Sequence, residues 1–363
     1  MISVPEILVI VLIVLIIFGY GRLSRATEAA KVATKKLFWV NNPVKGEKEL
    51  TLMTTRKELT IGKQTHSAIS KQWGLYEDDA LQEYVQQVGL RVAGASEQPK
   101  GPWRFSVVDD DVPNAFAVPG GYIYITRGLL AYLCDEAELA GVLGHEIGHV
   151  TARHTAARYT RTQIAKAGLK LVRIIWPDTE RTWGNWAAVK GLRLLFLSYG
   201  RDAELQADDL AVGYLARAGL DPSGWTRAVT TLSRFENARG KQIPNWLSTH
   251  PSSTDRATKL GLVVDRLKPR PTDAGRETYR LRIRGLKFGD GPSSQIDFDI
   301  VRDGDTWQSI ATDTARGQID TTALAIMNGQ PVSTEPRVGE EIKVVVTGSR
   351  KSFDHLRDRF VRV

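Results

Sequence analysis

The chain has a single cysteine, Cys134, among 363 residues. A lone thiol excludes an internal disulfide framework and any cysteine-rich zinc module, and it leaves the redox compartment open because a domain of this size can fold without bridges. Internal repeats and long low-complexity tracts are absent too. With 42% hydrophobic and 25% charged residues the composition is that of a globular chain, which rules out a collagen, a mostly disordered polymer and a multi-span membrane protein. The length fits two domains better than one. The net charge is +8, but the Lys and Arg are spread along the chain, with no basic stripe interleaved with aromatics and no zinc-finger spacing. No nucleic-acid partner is therefore expected, and the excess favours acidic surfaces such as anionic lipid or a cell-wall polymer.

One long apolar run does occur. Ile7 to Phe18 is unbroken aliphatic sequence, and with its flanks it approaches the roughly 20 residues needed to cross a bilayer. A cleavable signal peptide would carry Lys or Arg before the run and small residues after it, whereas Glu6 precedes this one. An uncleaved anchor is favoured over a signal peptide on that ground. Arg22, Arg25, Lys31, Lys35 and Lys36 follow the run, and by the positive-inside rule they would hold that flank in the cytoplasm.

Residues 38 to 50 (FWVNNPVKGEKEL) mix Asn, Pro, Gly and charge and are expected to be a linker out of the membrane. Leu75, Ala80, Leu81, Tyr84, Val85, Val88 and Leu90 to Val92 then recur near the helical period. Arg104 to Val108 and Ala115 to Thr126 are rich in β-branched and aromatic residues, with Pro119-Gly120-Gly121 as a turn, so a small sheet is predicted. The strand at Asn114 to Val118 is either an edge, where Pro119 is tolerated and an extended peptide can pair, or an internal strand without substrate contact. From Leu129 to about Ala218 the pattern is mostly helical, broken at Trp176-Pro177-Asp178 and stopped by Gly219 with Pro222 beyond. Residues 267 to 276 form a second linker. The chain thus divides into an anchor and basic flank (1–37), a central domain (38–269), and a C-terminal domain with its tail (270–363).

His145-Glu146-Ile147-Gly148-His149 is an HExxH sequence. Asp135 with Glu138 three residues on is a capping-box pattern, and Leu139, Val142 and Leu143 continue an apolar face, so the motif sits on a helix. Side chains four apart share a helix face, which lets two imidazoles reach one metal while Glu146 meets a water. The bland alternative is a solvated helix whose histidines merely hydrogen-bond; with only six His in the chain, this pairing is improbable by chance. A catalytic zinc site needs a third protein ligand and an open position. The stretch from Arg201 to Asp209 offers one, with Glu204 and Asp208 on one face of a predicted helix. Glu204 is read as the carboxylate ligand and Asp208 as the acceptor that orients a ligand histidine, against the alternative of an exposed acidic face. His250 is a candidate either for stabilising an oxyanion or for a nearby structural bond. His154 is read as a surface or packing histidine, and His66 and His355 carry no functional expectation.

Five ordered segments carry a family resemblance: NPVKGEKEL from Asn42, NAFAVPGGYIYITRGLL from Asn114, EAELAGVLGHEIGHVTARH from Glu136, RDAELQAD from Arg201 and STHPSSTDR from Ser248. Over roughly residues 43 to 260 the chain resembles the membrane-associated or periplasmic zinc metallopeptidases of family M48, in the gluzincin group. The resemblance implies an α+β fold, a mainly helical zincin-like domain with a small β-sheet. It implies one Zn2+ per chain on His145, His149 and Glu204, with Glu146 as catalytic base, and protein or peptide substrates of the misfolded or envelope class. The connector from Gln163 to Leu197 departs from the pattern, carrying Trp176, Trp183 and Trp186 where relatives are often rich in Gly and Ala.

Near the C-terminus, Phe298 to Val301 is predicted as a strand, Asp305 as the cap of a helix to Ala311, Thr322 to Met327 as a second helix and Glu341 to Val346 as a closing strand. With VRDGDTWQSIA, ALAIMNG and RVGEEIKV, this small α+β unit resembles a LysM domain, which implies binding to peptidoglycan; Trp307 stands where relatives usually have an aliphatic residue. The alternative is a packing domain without a ligand. The sequence is therefore read as a membrane-anchored zinc metalloendopeptidase with its catalytic domain outside the cytoplasm; the cytoplasmic face of the membrane is the alternative placement. The competing functions are a noncatalytic envelope scaffold with a structural metal and a peptidoglycan amidase.

Overall fold

The computed structural model describes residues 37–163, 199–239, 250, 254–267, 274–289, 294–315 and 319–347. The expected span at Ile7 to Phe18, the break at Trp176 to Asp178 and nearly all of the tryptophan-bearing connector lie outside these residues. Among the described residues no helix is long and apolar enough to cross a membrane.

Strands β1 (Phe38–Asn41) and β2 (Lys48–Thr51) pair antiparallel where a linker was expected. The turn between them is built on Asn42. Its Oδ1 accepts from the backbone N–H groups of Val44 and Lys45, and its Nδ2 donates to the Ala152 carbonyl at 3.0 Å. A composition typical of loops therefore closes a tight, docked hairpin, with Gly46 at φ +66° supplying the left-handed residue.

Helix α1 (Thr55–Gln72) is capped by Thr54 and α2 (Asp79–Gly94) by Asp78. The periodic residues Leu81, Tyr84, Val85, Val88 and Val92 form the buried face of α2. Next come β3 (Arg104–Val108), β4 (Ala115–Val118) and β5 (Tyr122–Thr126), ordered β3-β5-β4, with β3 parallel and β4 antiparallel to β5. Among the described residues β4 pairs only with β5, so it is an edge strand. Helix α3 (Arg127–Tyr132) follows at once, and then α4 (Glu136–Thr151), the helix that carries HExxH.

Helix α4 lies at the centre of the molecule. It packs on α2, on β4, and on the helices α5 (Arg201–Arg217) and α6 (Ser223–Arg239) that come after it in the chain. The contact is close because α4 presents glycine where the neighbours press hardest. A Cβ on Gly148 would lie 3.2 Å from the Ala207 Cα, one on Gly144 would lie 3.4 Å from the Ala211 Cα, and one on Gly141 would lie 2.7 Å from the Trp225 Cα. Helix α7 (Thr254–Leu267) covers α5 and α6.

The remaining elements are α8 (Arg276–Ile283), β6 (Ser294–Ile300), α9 (Trp307–Ala315), α10 (Thr321–Met327) and β7 (Glu341–Thr347), with β6 antiparallel to β7. Thr306, not Asp305, receives the first-turn N–H of α9, from Ser309 at 3.1 Å; Asp305 accepts instead from the Arg302 backbone at 2.7 Å and stabilises the preceding turn. Trp307 is buried and donates its indole N–H to the Thr334 carbonyl at 2.6 Å, so the bulky ring fills the core of this unit. The unit is bonded to the preceding part of the chain at the approach to α4. Lys343 Nζ donates to the carbonyls of Ala131 and Leu133 at 2.8 and 2.7 Å, and the Tyr279 hydroxyl donates to that of Leu130 at 2.6 Å. Burial pulls the pKa of this Lys343 amine down. The architecture is α+β, mainly helical with small sheets.

Gly141→Ala tests the close approach. The helix propensity of alanine favours the variant by about 1 kcal/mol, while forcing a methyl into the Trp225 backbone costs about 1–3 kcal/mol. The urea midpoint is expected to fall, and an unchanged or higher midpoint would contradict the packing described.

Candidate metal centre

Helix α4 starts at a reciprocal cap. Asp135 accepts from the Glu138 backbone N–H at 2.8 Å, the Glu138 carboxylate accepts from the Cys134 N–H at 2.8 Å, and Arg227 donates to Asp135 at 2.8 Å. Burial is the main reason the Glu138 pKa rises to about 7. So anchored, the helix drives His145, Glu146 and His149 into full burial. Buried polar groups demand partners, and those of His145 and His149 come in part from two other segments.

Glu204, in the first turn of α5, and His250 complete a group of four buried donors whose ligand atoms all lie within 4.8 Å of one another. His145 Nε2 stands 3.0 Å from His149 Nε2, 3.2 Å from His250 Nδ1 and 3.5 Å from Glu204 Oε2. Glu204 Oε1 is 3.4 Å from His149 Nε2 and 3.1 Å from His250 Nδ1. Donor atoms bound tetrahedrally at about 2.0–2.1 Å from one zinc-sized ion lie about 3.3–3.4 Å apart. The closest contacts lie near that edge length and the whole set stays within 4.8 Å, so the donor types and their spacing suit a single divalent cation. Neither oxygen of Glu146 has a hydrogen-bond partner among the described residues; its nearest ion-pair neighbour is His250 Nε2 at 3.5 Å.

The ring orientations are fixed from behind. His145 Nδ1 meets Asp208 Oδ1 at 3.0 Å, one turn along α5 from Glu204. Asp208 is held in turn by two donors from Arg256, at 2.7 and 2.9 Å, and by the Trp225 indole at 3.1 Å. Arg256 Nη1 also lies 3.4 Å from Glu204. Burial opposes the charge on both carboxylates, yet His250, His145 and His149 hold Glu204 well below the usual carboxylate range, and His145 and Arg256 do the same for Asp208 to a lesser degree. For His145, burial again opposes the charged form, but bonds to Asp208 and Glu204 win and its pKa rises to about 9. His149 goes the other way, with burial lowering it far below its ordinary value. Its ring stacks on Tyr199 at a centroid distance of 3.8 Å.

All six residues singled out in the sequence, His145, Glu146, His149, Glu204, Asp208 and His250, thus converge on one buried point. His154, expected at the surface or in packing, is also buried, with its Nδ1 2.9 Å from His149 Nδ1 and its Nε2 3.0 Å from Gln206 Oε1; burial lowers its pKa to about 4. The sequence reading passed over Arg256, Trp225, Tyr199 and Gln206. Arg256 had a usable signal, the end of the segment that begins two residues before His250.

Removing Arg256 would leave Asp208 and Glu204 buried without their guanidinium. Arg256→Leu is expected to destabilise the fold by about 3–5 kcal/mol, the usual loss when one partner of a buried ion pair is taken away. Urea unfolding measures it, and a loss under 1 kcal/mol would mean that the carboxylates do not depend on this cation.

The comparisons with known proteins fall on these same elements. The putative beta-barrel assembly-enhancing protease of Vibrio cholerae is 32% identical over 213 residues, covering 57% of this chain and 44% of that protein. The beta-barrel assembly-enhancing protease of Escherichia coli K12 is 26% identical over 241 residues, 64% of this chain and 48% of the relative. The mitochondrial metalloendopeptidase OMA1 of Arabidopsis thaliana is 30% identical over 217 residues, 60% and 42% of the two chains. This chain therefore spans less than half the length of these relatives. The model of peptidase family M48 matches residues 79–262, from the start of α2 into α7, and by that match the chain belongs to family M48.

Proposed function

We propose that the chain is a metal-dependent endopeptidase in which His145, His149 and Glu204 hold one divalent ion, zinc by donor type, and Glu146 is the general base. The observation that carries the reading is the Glu146 carboxylate, fully buried, without a hydrogen bond among the described residues, and beside the His145, His149, Glu204 and His250 donors. An unpartnered buried carboxylate is destabilising unless a substrate or water uses it. An ion in that site supplies a Lewis acid that brings the pKa of water toward neutrality and polarises a carbonyl. Glu146 accepts the proton of the attacking water at a carboxylate oxygen and delivers it to the departing amine nitrogen, base first and acid second. Asp208 holds His145 with Nε2 turned to the site. The edge of β4, packed against α4, offers backbone groups to an extended peptide.

Protein or peptide substrates follow from the family. The relatives named for beta-barrel assembly support envelope proteins as the substrate class; misfolded substrates and an extracytoplasmic catalytic domain tethered through Ile7 to Phe18 belong to the same proposal. The strand-helix-helix-strand order of the C-terminal unit supports the LysM-like reading and a peptidoglycan contact.

One observation favours a second reading, a structural metal in a scaffold: with His250 counted, four protein donors surround the point, and a closed set is the mark of a structural site. Hydrolysis needs one position open. His250 is the donor of the four carried on neither α4 nor α5, so it is the one whose departure opens the site.

Three variants decide between the readings. Glu146→Gln is expected to keep the metal and lose casein hydrolysis by about 100-fold or more, whereas Glu204→Ala loses metal and activity together; hydrolysis that survives Glu146→Gln would sink the peptidase reading. His250→Ala is expected to retain or raise hydrolysis. Loss of activity with metal retained would instead assign His250 to oxyanion stabilisation.

A further inference from the structure

We propose that His154 and Gln206 form a positioning relay that fixes His149 in the tautomer able to give Nε2 to a metal. The inference rests on the reading of His149 as a metal donor and extends it to the residues behind that ring. An imidazole that ligates through Nε2 carries its proton on Nδ1, and this N–H needs an acceptor. The group at that position is His154 Nδ1, 2.9 Å away. His154 accepts there only when its own proton is on Nε2, and that proton faces Gln206 Oε1 at 3.0 Å. The chain of bonds has one self-consistent direction that leaves His149 Nε2 bare: His149 donates to His154, and His154 donates to the Gln206 carbonyl oxygen. Turn the Gln206 amide over and every bond reverses. His154 then donates to His149 Nδ1, and His149 directs a proton into the site. Gln206, which has both an acceptor and a donor at the end of its side chain, selects the tautomer two residues away from itself in the relay.

The geometry that delivers His154 is unusual. Helix α4 ends at Thr151, and Arg153 takes a left-handed backbone, φ 59°, which for a residue other than glycine is disfavoured. Its side chain is tied down by Glu49 at 2.8 Å, Glu58 at 2.6 Å and the Met53 carbonyl at 3.1 Å. Such a conformation persists where the surroundings over-determine it. The bend redirects the chain before helical backbone resumes at residue 154, and it sets the His154 ring against His149 with centroids 5.0 Å apart. Tyr199 stacks on His149, and its hydroxyl is 2.9 Å from Thr155 Oγ1, next to His154.

The two motif histidines are thus oriented by different chemistry. His145 has a carboxylate behind it, and His149 has a neutral ring backed by an amide. Glu146, Glu204 and Asp208 already crowd negative charge into this buried volume. A fourth carboxylate, placed behind His149, would raise the repulsion among them, whereas the imidazole-amide pair fixes a proton without adding charge.

The test measures zinc affinity of the full chain by competition with a chelator, in wild type, His154→Phe, Gln206→Met and Gln206→Glu, alongside thermal unfolding of each without metal. His154→Phe is expected to weaken zinc binding about 10–100-fold, the range for loss of a group that orients a metal-ligating histidine. Gln206→Met, similar in size but without the acceptor, should weaken it in the same direction, while Gln206→Glu, which can only accept, should match or exceed wild type. A purely structural role would not separate Met from Glu at this position. Imidazole 15N spectra of the zinc-loaded chain should show His149 protonated on Nδ1. Zinc affinities within threefold of wild type for both His154→Phe and Gln206→Met, or equal losses for Met and Glu at 206, would overturn the relay. If wild type itself takes up no zinc, the metal reading falls and the relay with it.

Discussion

Donors from two helices can meet at one ion only if the helix backbones approach within the reach of a histidine and a glutamate, and that approach depends on what α4 leaves out. Gly148 lies under Ala207, Gly144 under Ala211 and Gly141 under Trp225, along one ridge of the HExxH helix. Larger residues on that ridge would push α5 outward. Glu204 and Asp208 would then lose His145 and His149, while Trp225 and Arg256 would lose Asp208. The imidazoles occupy the face beside this ridge, so the contact that builds the core also sets the geometry of the site.

The second constraint is electrostatic. Glu146, Glu204 and Asp208 are all but withdrawn from water within one small volume, a strongly unfavourable arrangement unless cations and hydrogen bonds answer each charge. Arg256 answers Asp208 with two bonds and lies close to Glu204, and the histidines supply the remaining contacts of Glu204. Glu146 receives no hydrogen bond among the described residues. Of the three carboxylates, Glu146 is thus the least supported, with His250 Nε2 at 3.5 Å as its nearest ion-pair neighbour. An unanswered group is the expected mark of a site where function is held at the expense of stability.

What the sequence could convey divides along the range of the interactions. Spacing along one helix made His145, Glu146 and His149 readable, and the four-residue step made Glu204 and Asp208 readable as a same-face pair. The cap at Asp135 and the β4–β5 turn also depend on neighbours in sequence, and both were visible. Asn42 was not, because its role depends on a carbonyl 110 residues away. For His154 the sequence left surface and packing open, because a left-handed Arg153 is hidden in a sequence without glycine at that point. Lys343 gave no sign of its contacts either: a lysine in a strand is usually solvated, and only the folded chain reveals the two buried carbonyls on α3 and the segment after it that receive its amine. The C-terminal unit consequently contributes to the approach to the HExxH helix as well as forming its own small sheet.

In the proposed site His145, His149 and Glu204 hold a single divalent ion next to the buried Glu146. X-ray absorption at the metal edge, combined with metal stoichiometry on the full chain, tests it most directly. One ion per chain is expected, with a first shell of nitrogen and oxygen only at about 2.0–2.1 Å and imidazole scattering from at least two histidines. A chain that takes up no metal, or a first shell containing sulfur or lacking imidazole, would contradict it.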